Sequence, residues 1–333
     1  MRSSASTTVI LIGCSRSGTT LLSNLLNQSP DVFIAPETKF FERTYAQRHW
    51  LRLLPKATQD ASVVRRLLRD QYPKLPPVFA EHEDCIARKF AERRDIPGAF
   101  FDILDCLSDA RVVGEKTPWH TVFCDVMVNA NPGTRFVAIV RDAPAVVASL
   151  YQRPRFARVA TITQCAARWL ILNDMILGLQ KSLGPDRLAL VRYEDLITDP
   201  RATIDRLCGF LGIEFTETML RPTFQDSSLK GGGPVQGETE LDAGALDRWR
   251  ERLSPAQIDL ILALTGEMRA RLGYAPAGTS APMVERLRLA AETVVQRAGI
   301  ALMRSGFYPV GPFTDSVMEN VPARFARATS GRP

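Results

Sequence analysis

The first apolar positions of the chain form a short β-branched run, TTVILI over Thr7–Ile12, which stops at Gly13. Apolar residues without alternation mark a strand buried on both faces. Past a small polar segment, Gly13–Thr20, the period changes, with Leu21, Leu22, Leu25 and Leu26 at helical spacing before Asn27–Pro30. The opening therefore reads strand, glycine-bounded loop, helix. Short strands are predicted again at Val32–Ala35 and Arg111–Val113. The clearest later one is RFVAIV, Arg135–Val140, with a helical stretch over Ala143–Leu150. RLALV over Arg187–Val191 repeats the design, ending at Arg192–Tyr193 before a helix from about Arg201 to Leu211. Between the second and third strands, residues 40–110 turn helical and polar and are broken by five prolines from Pro55 to Pro97. Residues 225–245, glycine-rich and polar, read as a loop. Pro255–Arg271 reads as a helix capped by Ser254 and closed by Gly273. After a linker of Pro, Ala, Gly and Ser, Met283–Arg304 reads as a basic amphipathic helix.

Short apolar strands alternating with helices predict an α/β fold, a central, mainly parallel sheet flanked by helices. The division that follows is an α/β domain over residues 1–275, with a helical insertion at about 40–110, and a C-terminal extension over 276–333. Hydrophobic residues at 45% and charged residues at 23% exclude disordered and fibrous classes. Val9–Ile12 is too short for a membrane span or a signal-peptide core. The six cysteines (14, 85, 106, 124, 165, 208) form no CxxC pair, which predicts reduced thiols and a cytoplasmic protein. The three histidines, His49, His82 and His120, lack metal-ligand spacing, so no metal site is expected. A net charge of +6 favours an anionic partner. The basic residues are spread along the chain, which argues against nucleic acid.

The candidate chemistry begins at Gly13-Cys-Ser-Arg-Ser-Gly18-Thr19-Thr20, where strand hands over to helix. Backbone N–H groups and the helix dipole favour an anion there. The Gly-x4-Gly spacing matches a nucleotide phosphate loop, yet Thr19 stands where the usual Lys would be. The cation is inside the loop, at Arg16, with hydroxyls at Ser17, Thr19 and Thr20. Such a loop suits phosphate better than a metal-bound triphosphate.

RSGTTLL after a strand resembles the 5′-phosphosulfate loop of sulfotransferases that use 3′-phosphoadenosine 5′-phosphosulfate (PAPS), a family with a P-loop-like nucleotide-binding fold. A second signature agrees: RFVAIV ends in Arg141, and Ser149 follows on the next helix. In that family such an Arg and Ser bind the 3′-phosphate. The alternative for Arg141 is a structural ion pair with its neighbour Asp142. VRYEDL resembles the segment that brings a tyrosine, here Tyr193, near the adenine; a buried core tyrosine is the other reading. Lys230 and Gly231, in KGGG, stand where the family closes over the 3′-phosphate, although the usual basic pair is reduced to Lys230.

Sulfuryl transfer needs an oriented donor, charge stabilisation on the leaving phosphate and a base for the acceptor's proton. Arg16 and Lys116 are the candidate cations. Lys116, in GEKTPWH, resembles the family's lysine near the bridging oxygen, and pairing with Glu115 on the surface is the alternative. Glu37, in APETK, is placed like the catalytic glutamate of tyrosylprotein and some bacterial carbohydrate sulfotransferases and is the preferred base; His120 is the other candidate. Aromatics between them, among them Phe40, Phe41, Tyr45, Trp50, Phe79, Phe100 and Phe101, either line an apolar acceptor pocket or belong to the core. The resemblance implies a small-molecule, sugar or lipid hydroxyl as acceptor and no metal. Its rivals are an ATP-dependent phosphoryl-transfer enzyme and a non-catalytic nucleotide- or nucleic-acid-binding module. Over residues 283–304 a stripe of Val284, Leu287, Ala291, Val294, Ala298 and Ala301 suits either a peripheral membrane contact or packing on the domain or on a second subunit of a homodimer.

Overall fold

The computed structural model describes residues 6–43, 45–47, 81–92, 96–152, 161–221, 241, 243–275 and 280–306. Among them, β1 (Thr7–Gly13), β2 (Val32–Ala35), β3 (Val112–Lys116), β4 (Arg135–Val140) and β5 (Leu188–Arg192) form one all-parallel sheet in the order β2-β3-β1-β4-β5. The central strand β1 pairs Val9 with Gly114 on one side and Arg135 on the other. Parallel pairing brings every strand's carboxyl end to one edge, where α/β proteins place ligands.

Successive side chains of β1 leave on opposite faces, so its continuous apolar run feeds two cores. Val9 and Leu11 pack with α1 (Thr19–Leu26), α8 (Tyr193–Thr198) and α9 (Pro200–Leu211). Ile10 and Ile12 face the larger core, built from α2 (Phe40–Arg43), α4 (Ile96–Leu107), α5 (Cys124–Ala130), α6 (Ala143–Tyr151), α7 (Ile162–Leu183) and α10 (Pro255–Arg271). The 22-residue α7 is this core's main support and has no counterpart in the sequence pattern. Its buried side chains, including Trp169, Leu172, Asn173 and Ile176, go round the helix rather than along one stripe, so no amphipathic period marks it. A capping box of Thr161 and Gln164 starts it. Helix α11 (Met283–Ser305) lies along the outside of α7.

Two expectations change. Strand β3 runs past Val113 through Gly114 and Glu115 to Lys116, so two charged side chains lie inside a buried strand. The cysteines are not all reduced: Cys85 of α3 (Glu83–Glu92) is bonded to Cys106 of α4. Pairing of the two insertion helices brings Cα atoms 21 residues apart in sequence to 6.0 Å, a proximity no local spacing announces. The cytoplasmic expectation loses that premise. The other four thiols, Cys14, Cys124, Cys165 and Cys208, are buried. Burial pushes Cys14 up to about 12 and Cys165 to about 11, which suppresses the reactive thiolate.

Thiol titration checks both statements. The native protein should react slowly, the denatured unreduced chain should show the four free thiols, and reduction should bring the count to six. Closing a loop of this length contributes about 3 kcal/mol, so reductant should lower the unfolding midpoint.

Candidate active site

The carboxyl edge of the sheet gathers the loops that follow all five strands. The first leaves β1 at Gly13, whose missing Cβ would stand 2.6 Å from the Ile139 carbonyl oxygen of β4. At Gly18, φ is +99° and a Cβ would lie 2.4 Å from the Tyr193 ring, so the turn and the close approach both require glycine. Arg16 has φ 79°, a left-handed conformation that costs a non-glycine residue on the order of 1 kcal/mol. Helix α1 starts behind Gly18 with no side-chain cap, leaving first-turn N–H groups directed at the loop. The Ser17 hydroxyl is buried without a partner. Thr19 is buried with its methyl against Gly13, and Thr20 is half-buried. An orphaned hydroxyl, uncapped N–H groups and a nearby guanidinium form a cradle that fits an anionic group such as a phosphate.

The second strand end completes it. Arg16 Nε donates to Ser149 Oγ of α6 at 2.8 Å. Arg141, after β4, donates to the Arg16 carbonyl at 3.4 Å and to the Ala245 carbonyl at 2.8 Å, and lies 4.0 Å over the Tyr193 ring. Arg16, Ser149, Arg141, Gly18 and Tyr193 therefore converge. Arg141 does not pair with Asp142, whose carboxylate caps α6 through Ala143 N and takes both Nε and Nη2 of Arg269 at 2.7 and 3.0 Å. Glu194 accepts from Asp142 N and from the Tyr274 hydroxyl, fixing this strand end to the segment after α10. Lys230 and Gly231 lie outside the described residues. Two cations escaped sequence reasoning. Arg248 is close enough to act on Arg141, adding to the burial that lowers its pKa. Arg168 is buried beneath the loop, stacked 5.2 Å from the Trp119 ring and acting electrostatically on Cys14. Neither lies in a motif; only the fold brings them here.

On the other side of β1, Glu37 and Lys116 meet. Lys116 Nζ donates to Glu37 Oε1 at 2.8 Å, with the lysine buried and the carboxylate partly exposed. The partner of Lys116 is thus Glu37 rather than Glu115. Glu115 is fully buried and accepts from Thr38 N at 2.8 Å and from the Thr117 hydroxyl. His120, also fully buried, places Nδ1 2.9 Å from Glu115 and Nε2 3.3 Å from Glu42. Burial opposes its charge, but the two carboxylates outweigh burial and raise its pKa to about 10. Rings of Phe41 and Phe100 stand edge-on to the imidazole. Phe40, Phe41, Phe100 and Phe101 are core side chains rather than the lining of an open pocket. Trp50 and Phe79 lie outside the described residues. Lys39 has φ 52°, so the two left-handed non-glycine residues among those described, Arg16 and Lys39, sit in the two loops that carry the candidate chemistry.

With this geometry in view, comparison with known proteins is specific. The family model described as "Sulfotransferase family" matches residues 8–217. Over 293 residues the chain is 25% identical to the nodulation protein NoeE of Sinorhizobium fredii, covering 79% of this chain and 65% of that protein. It is 22% identical over 289 residues to a protein-tyrosine sulfotransferase of Drosophila melanogaster, covering 80% of this chain and 52% of the relative. The chain thus spans from 52% to 65% of the length of these curated relatives. Among solved structures, the sulfotransferase domain of the curacin biosynthetic pathway superposes with a TM-score of 0.58 at 18% identity, over 82% of this chain and 100% of that one. The sulfotransferase domain of the Synechococcus PCC 7002 olefin synthase gives 0.53 at 22% identity, over 88% and 98%. These two likenesses show the P-loop-like fold.

The buried imidazolium makes a signed prediction. Its folded pKa of about 10 lies above the ordinary 6.5, so its contribution is complete below pH 6.5 and is lost as pH rises through about 10. Urea unfolding of the wild type should show stability falling across that window, and His120→Gln should lack the slope. At neutral pH the substitution strands two buried carboxylates, a loss of about 3–5 kcal/mol.

Proposed function

The chain belongs to the sulfotransferase family, and from that premise we propose that it transfers a sulfuryl group from PAPS to a hydroxyl of a small-molecule, carbohydrate or lipid acceptor. One observation carries the reading: Arg16 and Arg141, at the ends of adjacent strands, meet around Ser149 and Gly18, while the Glu37–Lys116 pair stands at the ends of the next two strands. Two anion sites side by side, next to a carboxylate, suit a donor with phosphate at both ends and an acceptor that must lose a proton.

When bound, the donor supplies an electrophilic sulfur and an adenosine bisphosphate leaving group. Residues 16–20 hold its 5′ end through N–H groups and the Arg16 guanidinium. Arg141 and Ser149 would hold the 3′-phosphate, and Tyr193 would flank the base. Lys116 offsets charge that develops on the leaving phosphate as its bond to sulfur breaks, so no metal is required. Glu37 takes the hydroxyl proton as the acceptor oxygen bonds to sulfur. His120 faces carboxylates through both ring nitrogens in a sealed site, so its part is to hold the Glu37 loop in place. The relatives named protein-tyrosine sulfotransferases add a peptide tyrosine to the acceptors worth screening.

Calorimetric titration with adenosine 3′,5′-bisphosphate, against ATP and ADP with and without Mg²⁺, tests the donor site. Metal-independent preference for the bisphosphate is expected, weakened on the order of 10–100-fold in Arg141→Ala through a lost charge-assisted contact. Preference for Mg·ATP would overturn the reading. Glu37→Gln should lower kcat by about 10²–10⁴-fold while keeping bisphosphate affinity; a variant with wild-type turnover would remove Glu37 as the base.

A further inference from the structure

Helix α11 is amphipathic in the reverse of the usual sense. Every exposed large hydrophobic side chain among the described residues lies on it: Met283 (65%), Val284 (56%), Leu287 (63%), Val294 (67%) and Leu302 (46%). With Ala291, Ala298 and Ala301 they form one outward stripe along 23 residues, about 34 Å at the helical rise. The inward face makes polar contacts with α7. Glu285 accepts from the Thr163 hydroxyl at 2.9 Å, Glu292 from Gln164 Nε2 at 3.0 Å, and Gln296 donates to the Gln164 carbonyl at 3.0 Å. Ile300 and Met303 seal the far end against the core.

Charge divides the same way. Both carboxylates of the helix are drawn toward α7, whereas Arg286, Arg288 and Arg297 flank the outward stripe. Arg288 contacts Glu285, and Arg297 contacts Asp174 on α7, with both arginine side chains more than half exposed, so the guanidiniums stay at the surface. The outward face is thus apolar and cationic with no acid on it. A second copy meeting it by two-fold symmetry would set arginines against arginines.

We propose that this face of α11 docks on an anionic lipid surface, its apolar stripe entering the headgroup boundary and its arginines meeting lipid phosphates. The inward polar contacts hold the helix on the domain while the stripe is spent on the bilayer. The helix also touches the turn Tyr45–Gln47, in the segment that follows Glu37, so docking would bring the acceptor side of the molecule toward the lipid.

The test is co-sedimentation of the full chain with vesicles of phosphatidylcholine alone and of phosphatidylcholine mixed with phosphatidylglycerol. Binding should be on the order of tenfold or more stronger to the anionic vesicles and should weaken with salt. Leu287→Glu with Val294→Glu should abolish it; both side chains are mostly exposed, and retained bisphosphate affinity would show the fold intact. Arg286→Gln should lower only the salt-sensitive part. Equal weak binding to both vesicle types overturns the proposal. So does absence of binding, whether sedimentation velocity shows a dimer that the double variant dissociates, making a second copy the occupant, or a monomer, as when residues 307–333 cover the stripe.

Discussion

A carboxylate sealed inside a parallel sheet must be compensated, and the arrangement at this carboxyl edge follows from how Glu115 is satisfied. Its side chain is fully buried at the end of β3, accepts from the backbone N–H of Thr38 and from the Thr117 hydroxyl, and lies 2.9 Å from His120 Nδ1. An uncompensated charge there would cost several kcal/mol, so the loop after β2 is not at liberty to move away from β3. That loop carries Glu37, and the residue after Glu115 is Lys116. The 2.8 Å Glu37–Lys116 contact thus sits one residue along from the bond between Thr38 N and Glu115 in both chain segments. His120, held between Glu115 and Glu42 whose carboxylates favour its charged form, faces both anions and ties in α2 as well.

The side of the sheet around the loop Gly13–Thr20 is built by a different device, mutual exclusion of side chains. Gly13 and Gly18 exist as glycines because Ile139 and Tyr193 occupy the space a Cβ would need. Tyr193 is pressed onto the loop by Arg141, and Arg141 is aimed by its own hydrogen bonds because Asp142 is claimed by Arg269 and by the start of α6. The ring of contacts explains why an arginine conformation as costly as that of Arg16 persists. The surrounding strands determine it more firmly than its local preference opposes it.

Much of this was legible in the sequence because the relevant signals are local. β1 and β4 announce themselves as short apolar runs, α1 by its leucine spacing and α10 by its Ser254 cap, while Gly13–Thr20 shows its turn by its two glycines. What was illegible is non-local. Helix α7 is apolar on several faces because it is wrapped on several sides, which erases the stripe that periodicity detects. Strand β3 was read short because Glu115 and Lys116 look like a turn, although their partners Ile10 and Leu11 hold them in the sheet. The Cys85–Cys106 bond, the burial of the phenylalanines after Glu37, and the approach of Arg168 to Cys14 and of Arg248 to Arg141 all depend on which helices become neighbours.

Helix α11 shows the limit of the pattern argument from the other direction. Its stripe was visible in the sequence, with nearly the membership that the structure displays, yet a stripe states only that apolar residues share a face, not that the face turns inward. Here α7 presents hydroxyl and amide groups, Thr163 and Gln164, at the contact. Those groups are satisfied by the glutamates of α11 and would be left unpaired under an apolar face. Burying an unpaired polar group costs about 1–3 kcal/mol, comparable to what burying one valine or leucine contributes. The polar groups of the supporting helix thus favour the glutamates of α11 facing inward, the orientation in which the apolar stripe faces outward.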